Sequence, residues 1–197
     1  MLTPIRDRST RRAPAMPPEE RRAAIVAATI PLLAVMGTNV TTKQIADAAG
    51  VAEGTIFRVF ADKEAVIDAA VAAALDTAPT ERALAAISRD IPFEARLEQA
   101  VQILQHRITE IWQLLSMLGR TAPSGRRTRQ QDLVELTALF DGERAHLRQD
   151  PELSARLLRG LVLAASHPAL IVGDPLPPAV IVSTFLDGIR RPDPPTA

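Results

Sequence analysis

The chain contains no cysteine. That excludes disulfides, thiolate metal centres and a thiol nucleophile, and it suits a reducing cytosol. Neither sign of charge is in excess: 23 Lys and Arg stand against 23 Asp and Glu, so affinity for a polyanion must come from local patches rather than from the net field. Aromatics are sparse at 3% and β-branched runs are short, while Ala and Leu are abundant; this composition predicts an all-α fold. No uninterrupted apolar run approaches the roughly 20 residues that span a bilayer. The N-terminus is polar and Arg-rich without the apolar core of a secretory signal. No membrane partner is therefore expected, and the expected location is cytoplasmic. A chain of 197 residues can bury a sizeable core, as one domain or two small ones.

Catalytic patterns are missing as well. His106, His146 and His167 are isolated, with no second ligand at metal-binding spacing. There is no Gly-rich phosphate loop and no Gly-x-Ser-x-Gly elbow. No catalytic residue, metal or cofactor is expected, and the chain is not read as an enzyme.

What is present is a dense local pattern over residues 41–64, TTKQIADAAGVAEGTIFRVFADKE. Thr41 and Gln44 have the spacing of a capping box. Ile45 and Ala49 share one helical face, and the small Ala46 and Ala48 let a second helix come close. Gly50 stands where a left-handed residue ends a helix, and Val51 can fill the angle that follows. A second helix over 52–60 turns Ile56 and Phe60 inward and leaves Ala52, Glu53, Thr55 and Arg58 largely outward. Two short helices about a Gly-containing turn, the second polar outside, describe a helix-turn-helix.

The order Thr41/Thr42, Ile45-Ala46, Ala49-Gly50-Val51, Gly54-Thr55, Phe57, Phe60, Lys63-Glu64 resembles the DNA-binding segment of TetR-type transcriptional regulators. The likeness extends over residues 21–74; beyond them only length and helical character agree. It implies an N-terminal three-helix DNA-binding domain followed by a helical-bundle domain for ligand binding and dimerisation. It also implies that Thr42, Thr55, Phe57 and Lys63 meet phosphate and sugar. Charge and outward placement add Lys43 and Arg58, the latter as a candidate for a guanine edge. Glu53 is a candidate for a cytosine amine, or equally a solvated acid at a helix start. Gly54 lowers helix propensity and marks a close approach of backbone to DNA or to the preceding helix. Ala52 stands where the family usually has Ser, and Phe57 where it usually has Tyr, so one cap and one phenolic bond to phosphate are lost.

Four divisions are predicted: a basic arm over 1–17 holding Arg6, Arg8, Arg11 and Arg12, a DNA-binding domain over 18–63, a ligand and dimerisation domain over 64–191, and a tail over 192–197. Helix 1 should run from residue 18 or 19 to 36 with a kink at Pro31. Its Arg21 and Arg22 sit at a helix start that does not favour cations. Asp62 should cap a fourth helix whose apolar side is Val66, Ile67, Ala70, Val71 and Ala74. A joint over 76–90 includes a helical piece over 81–87. A long helix follows, with a seam of Leu97, Val101, Leu104, Ile108, Ile111, Leu115 and Leu118. Residues 121–129 form a basic loop, 133–147 a further helical stretch, and 150–167 and 178–189 the last two helices.

Along the long helix, Ile103, His106, Ile111, Trp112, Leu115 and Met117 are the candidates for a cavity holding a small apolar effector. The last two helices correspond to the family's four-helix dimer interface, which nominates Leu157, Leu161, Ala165, Ile181 and Phe185. The function implied is a homodimeric regulator on a palindromic operator in double-stranded DNA, acting as a repressor released by the effector. The competing reading is an all-α small-molecule or lipid binding module that uses the helix-turn-helix only as scaffold.

Overall fold

The computed structural model describes residues 17–119 and 134–190. Every regular element among them is helical, and the single extended contact is an isolated bridge between Leu147 and Arg190. Residues 1–16 of the basic arm, the 121–129 loop, Leu133, Arg191 and the C-terminal tail lie outside the described residues.

Helix α1 spans Pro18–Met36, with Pro18 in its first turn where no amide partner is needed. It runs on through Pro31, and Gly37 ends it at φ 56°. Thr29 is fully buried on its inner side, its hydroxyl satisfied by the Ile25 carbonyl at 2.7 Å. The stretch Pro18–Asn39 is long and apolar enough, by length and composition, to cross a membrane, with mean hydropathy 1.4. Counting uninterrupted runs missed it because Thr29 and Pro31 break the run. Only 22% of the apolar 18-residue window in that stretch is buried in the protein, with Ile25 and Leu33 fully so.

A 3₁₀ turn, Gly37–Asn39, leads to α2, Thr42–Ala49. The capping box forms in full: Thr41 Oγ1 accepts from the Gln44 amide at 3.2 Å, and Gln44 Oε1 accepts from the Thr41 amide at 2.9 Å. Gly50 adopts φ 66°, ψ 31°, the left-handed ending its position called for. Helix α3 is Glu53–Val59, with Ala52 at its N-cap offering no side-chain bond. Helix α4 is Lys63–Ala74, capped by Asp62, whose Oδ1 accepts from the Ala65 amide at 2.8 Å.

Helix α5 occupies Ala78–Ala85, earlier than the predicted 81–87. Asp76 Oδ1 accepts from the Ala78 amide at 3.1 Å, and Pro79 fits the first turn, so the helix takes the proline in instead of starting after it. Helix α6, Phe93–Met117, is the long element. Residues 133–147 do not form one helix: α7 covers only Val134–Ala138, and a 3₁₀ helix follows over Asp141–His146. Helix α8, Pro151–Ser166, is capped by Asp150 through the Leu153 amide at 2.7 Å, and α9 is Pro178–Ile189.

Two hydrophobic cores result. The head core joins Ile25 and Leu33 of α1, Ile45 of α2, Ile56 of α3, Val66, Ile67 and Ala70 of α4, and Leu114, Leu115 and Leu118 from the end of α6. The body core joins Leu97, Val101 and Leu104 of α6 with Phe140, with Leu158 and Val162 of α8, and with Phe185 and Leu186 of α9. Helix α4, assigned by the division at residue 63 to the second domain, thus gives its apolar side to the head. Helix α6 serves both cores through one unbroken seam.

Candidate nucleic-acid interface

The inward face of α3 explains the outward one. Ile56 is fully buried and Phe60 nearly so, and their spacing of one turn fixes the helix about its axis. Ala52, Glu53, Gly54, Phe57 and Arg58 are left exposed, with Thr55 half-buried. Phe57 is 54% exposed, a large aromatic held partly in solvent. A Cβ added at Gly54 would meet nothing within 4 Å, so helix 2 is not what requires a glycine there.

The remaining predicted contacts are on either side of α3. Lys43 is exposed on α2. Thr42 is half-buried, and its hydroxyl donates to Glu53 Oε1 at 2.5 Å, tying the start of α2 to the start of α3. Glu53 is therefore held by a neighbouring helix rather than simply solvated. Lys63 is half-buried, and its ammonium donates to the Thr38 carbonyl at 2.9 Å.

Composition and spacing did not reveal the role of Arg22. Its guanidinium lies 4.3 Å from the Phe60 ring centroid, and Nη1 reaches the Val59 carbonyl at 3.5 Å. A charge unfavourable at the start of α1 thus stands at the C-terminal end of α3, where the helix dipole and the ring face both attract it. A basic residue one turn into α1 was the only available signal.

The six candidates for an effector cavity do not converge. Helical geometry of about 100° per residue spreads their positions all round α6. Ile103 packs against the body core, whereas Ile111 and Leu115 pack into the head. His106 is 77% exposed beside Glu110 Oε1 at 3.2 Å, and Met117 is exposed too. Trp112 is half-buried and meets the ring of His167, at the end of α8, edge-on at 4.8 Å. Around it the seam between head and body is polar. Gln105 Nε2 donates to Ser166 Oγ and to the Leu176 carbonyl, both at 2.9 Å, and Arg107 Nη2 donates to the Asp76 carbonyl at 2.6 Å. Burial lowers the Arg107 pKa from its ordinary value, against the opposing pull of Glu110 and Asp76.

The candidates for dimerisation fall into two groups. Ala165, Ile181 and Phe185 are buried in the chain's own body core. Leu157 is exposed and Leu161 half-buried, and with exposed Gly160 and Ala164 they make one face of α8. Val180, Thr184 and Gly188 make the matching open face of α9. Among the described residues no cluster of His, Asp and Glu could hold a metal ion.

The fold and the outward face of α3 define the class: an all-α protein with a helix-turn-helix head on a helical body. Residues 25–70 match the family model for bacterial regulatory proteins of the tetR family. The head is a TetR-family helix-turn-helix domain, and the chain as a whole has the fold of TetR-family transcriptional regulators. A Mesorhizobium loti protein provisionally assigned to that family aligns at TM-score 0.64 and 19% identity, over 90% of this chain and 100% of its own. A TetR-family regulator from Haemophilus influenzae aligns at TM-score 0.58 and 15% identity, over 88% and 98% of the two chains. NalD of Pseudomonas aeruginosa, the secondary repressor of the MexAB-OprM multidrug efflux pump, aligns at TM-score 0.52 and 21% identity, over 88% and 97%. No curated protein sequence matches the chain.

Proposed function

We propose that the protein is a homodimeric, sequence-specific DNA-binding transcriptional regulator whose α3 enters the major groove. The observation that carries this reading is the outer face of α3: Glu53, Gly54, Phe57 and Arg58 exposed together on a helix anchored from behind by Ile56 and Phe60. A lone scaffold helix has no reason to hold Phe57 in water or to carry an unobstructed glycine. Lys43, Thr42, Thr55 and Ala52 border the same surface and complete the footprint, with phosphate contacts setting register and Arg58 reading a base edge.

Two copies meeting through the open faces of α8 and α9 place two heads on a two-fold axis, which asks for a palindromic operator. Repression is the sense we favour, as in NalD. A small apolar effector would act where α6 passes from body to head, with Trp112 the lining residue this reading keeps. It lowers affinity for DNA by binding the DNA-incompetent arrangement better than the competent one. Because Trp112 is the chain's single tryptophan, its fluorescence reports effector binding directly.

The test is selection of bound fragments from random-sequence duplex DNA, followed by affinity measured against salt. A regulator enriches one palindrome and loses affinity steeply with salt, at about 0.9 log unit per log unit of salt for each phosphate neutralised. Equal, weak binding to all duplexes would remove the reading and leave the small-molecule binding module in its place.

A further inference from the structure

Thr42 and Glu53 share one hydrogen. The Thr42 hydroxyl donates to Glu53 Oε1 at 2.5 Å, across 11 residues of chain. A carboxylate only accepts, so the hydrogen is the hydroxyl's, and a hydroxyl has one. Phosphate oxygens also accept. While the pair stands, Thr42 has nothing to donate to the DNA backbone, the contact that the TetR resemblance gives it. The carboxylate beside it repels any phosphate brought there. Thr42 is half-buried and Glu53 exposed, so the charge is on the open side of the pair.

Glu53 is the first residue of α3, at the end by which a recognition helix meets base edges. Its neighbours are Ala52, with no polar side chain, and Gly54, with none at all. A base edge facing this end of α3 therefore meets a carboxylate or nothing. Oε1 is committed to Thr42, and Oε2 has no partner among the described residues. The tie to α2 orders a flexible side chain before DNA arrives, which lowers the entropy lost on binding. In the major groove cytosine offers its N4 amine, whereas thymine O4 and guanine O6 and N7 are acceptors, and adenine sets an acceptor beside its donor. A lone acceptor thus favours cytosine, accommodates adenine less well and is repelled by thymine and guanine.

We infer that Glu53 determines specificity at the N-terminal end of α3 by selecting cytosine, and that Thr42 is its positioning residue and not a phosphate donor. Both roles rest on the DNA-binding reading above. Discrimination is a difference of affinities, and the pair acts on both sides of that difference. The carboxylate lowers affinity for every duplex, and a cytosine amine restores it only where the base fits.

The experiment selects bound fragments from random-sequence duplex DNA with the unaltered full chain and with Glu53→Gln, Glu53→Ala and Thr42→Val, each checked for folding by a thermal melt. Affinity is then measured for the duplex recovered with the unaltered protein, for versions with each C·G pair of the half-site changed to T·A, and for a random duplex. The unaltered protein should demand cytosine at one position in each half-site, where T·A costs about tenfold or more. Glu53→Gln should move the preference at that position to adenine, whose N6 and N7 suit an amide, and should bind random duplex several-fold more tightly. Glu53→Ala should make the position indifferent and leave the others as they were; it decides the matter if the Gln variant does not fold. Thr42→Val should keep cytosine preferred by a smaller ratio, with no loss of affinity for random duplex. An unchanged base profile in the Glu53 variants overturns the role of Glu53. Equal losses on every duplex in Thr42→Val make Thr42 a phosphate donor and overturn its positioning role. If the unaltered protein enriches no duplex, the DNA-binding reading itself falls and takes both roles with it, a result distinct from an enriched duplex that ignores Glu53.

Discussion

Gly54 shows how a single residue separates stability from function. A glycine in a helix costs about 0.8–1.0 kcal/mol relative to alanine, and nothing in the protein requires it, since its Cβ position is open. Gly54→Ala should therefore raise the melting temperature by about 2–4 °C, the shift for 1 kcal/mol in a domain of this size. It should weaken binding to a selected duplex at least about tenfold, because the new methyl group stands where DNA backbone approaches. Stability and affinity moving together would instead mean that Gly54 faces nothing on the duplex. Phe57 allows a test in the opposite direction. It is exposed and carries no hydroxyl, so Phe57→Tyr restores a donor for phosphate without touching the core. One added hydrogen bond, worth about 0.5–1.5 kcal/mol, should tighten binding several-fold in a mobility-shift titration and leave thermal stability unchanged.

At the scale of elements, α2 and α3 differ in how they begin. Thr41 and Gln44 form a reciprocal cap on α2, whereas Ala52 gives α3 no side-chain cap. Ala52→Ser should supply the missing acceptor and stabilise the head by about 1 kcal/mol, visible as slower hydrogen exchange in α3. Thr41→Ala should cost a similar amount and loosen α2. These starts were legible in the sequence because caps, left-handed glycines and i, i+4 pairs are local signals within a few residues of one another. The α6 seam was legible as a stripe, but not as a stripe divided between two cores. Its spacing is the same on both sides of Ile108, and only tertiary packing decides which neighbour each turn meets. The intramolecular partners of Lys63 and Arg22 were not legible for a related reason: Thr38 and Phe60 lie 25 and 38 residues away in the chain, beyond anything periodicity can report. The effector candidates spread round α6 because apolar type was used without asking whether six positions on one helix can face one side.

The whole molecule turns on which face of α8 and α9 is spare. Periodicity identifies the most apolar face of a helix, and in a two-layer body that face is consumed by the chain's own core; Ala165, Ile181 and Phe185 follow this rule. What remains for a second copy is the neighbouring face, less apolar and richer in small residues: Leu157, Gly160, Leu161 and Ala164 on α8, with Val180, Thr184 and Gly188 on α9. Small residues allow helices to approach closely, and neither glycine has a neighbour within 4 Å of its Cβ position inside the chain, so both are open to a partner. The two sets of residues should then respond oppositely. Gly160→Arg leaves the body core intact but places a charged, bulky side chain on the open face, so the protein should fold and run at its 21.3 kDa chain mass in sedimentation, against twice that mass for the unaltered protein. Phe185→Ala should cost about 3–5 kcal/mol of folding stability with no direct effect on association of whatever remains folded. The monomeric Gly160→Arg protein still has a complete head, yet it neutralises half the phosphates. Its affinity for a palindrome should fall by orders of magnitude and its salt slope by about half. A Gly160→Arg protein that stays dimeric would place the partner elsewhere on the surface and leave the open faces of α8 and α9 without a role.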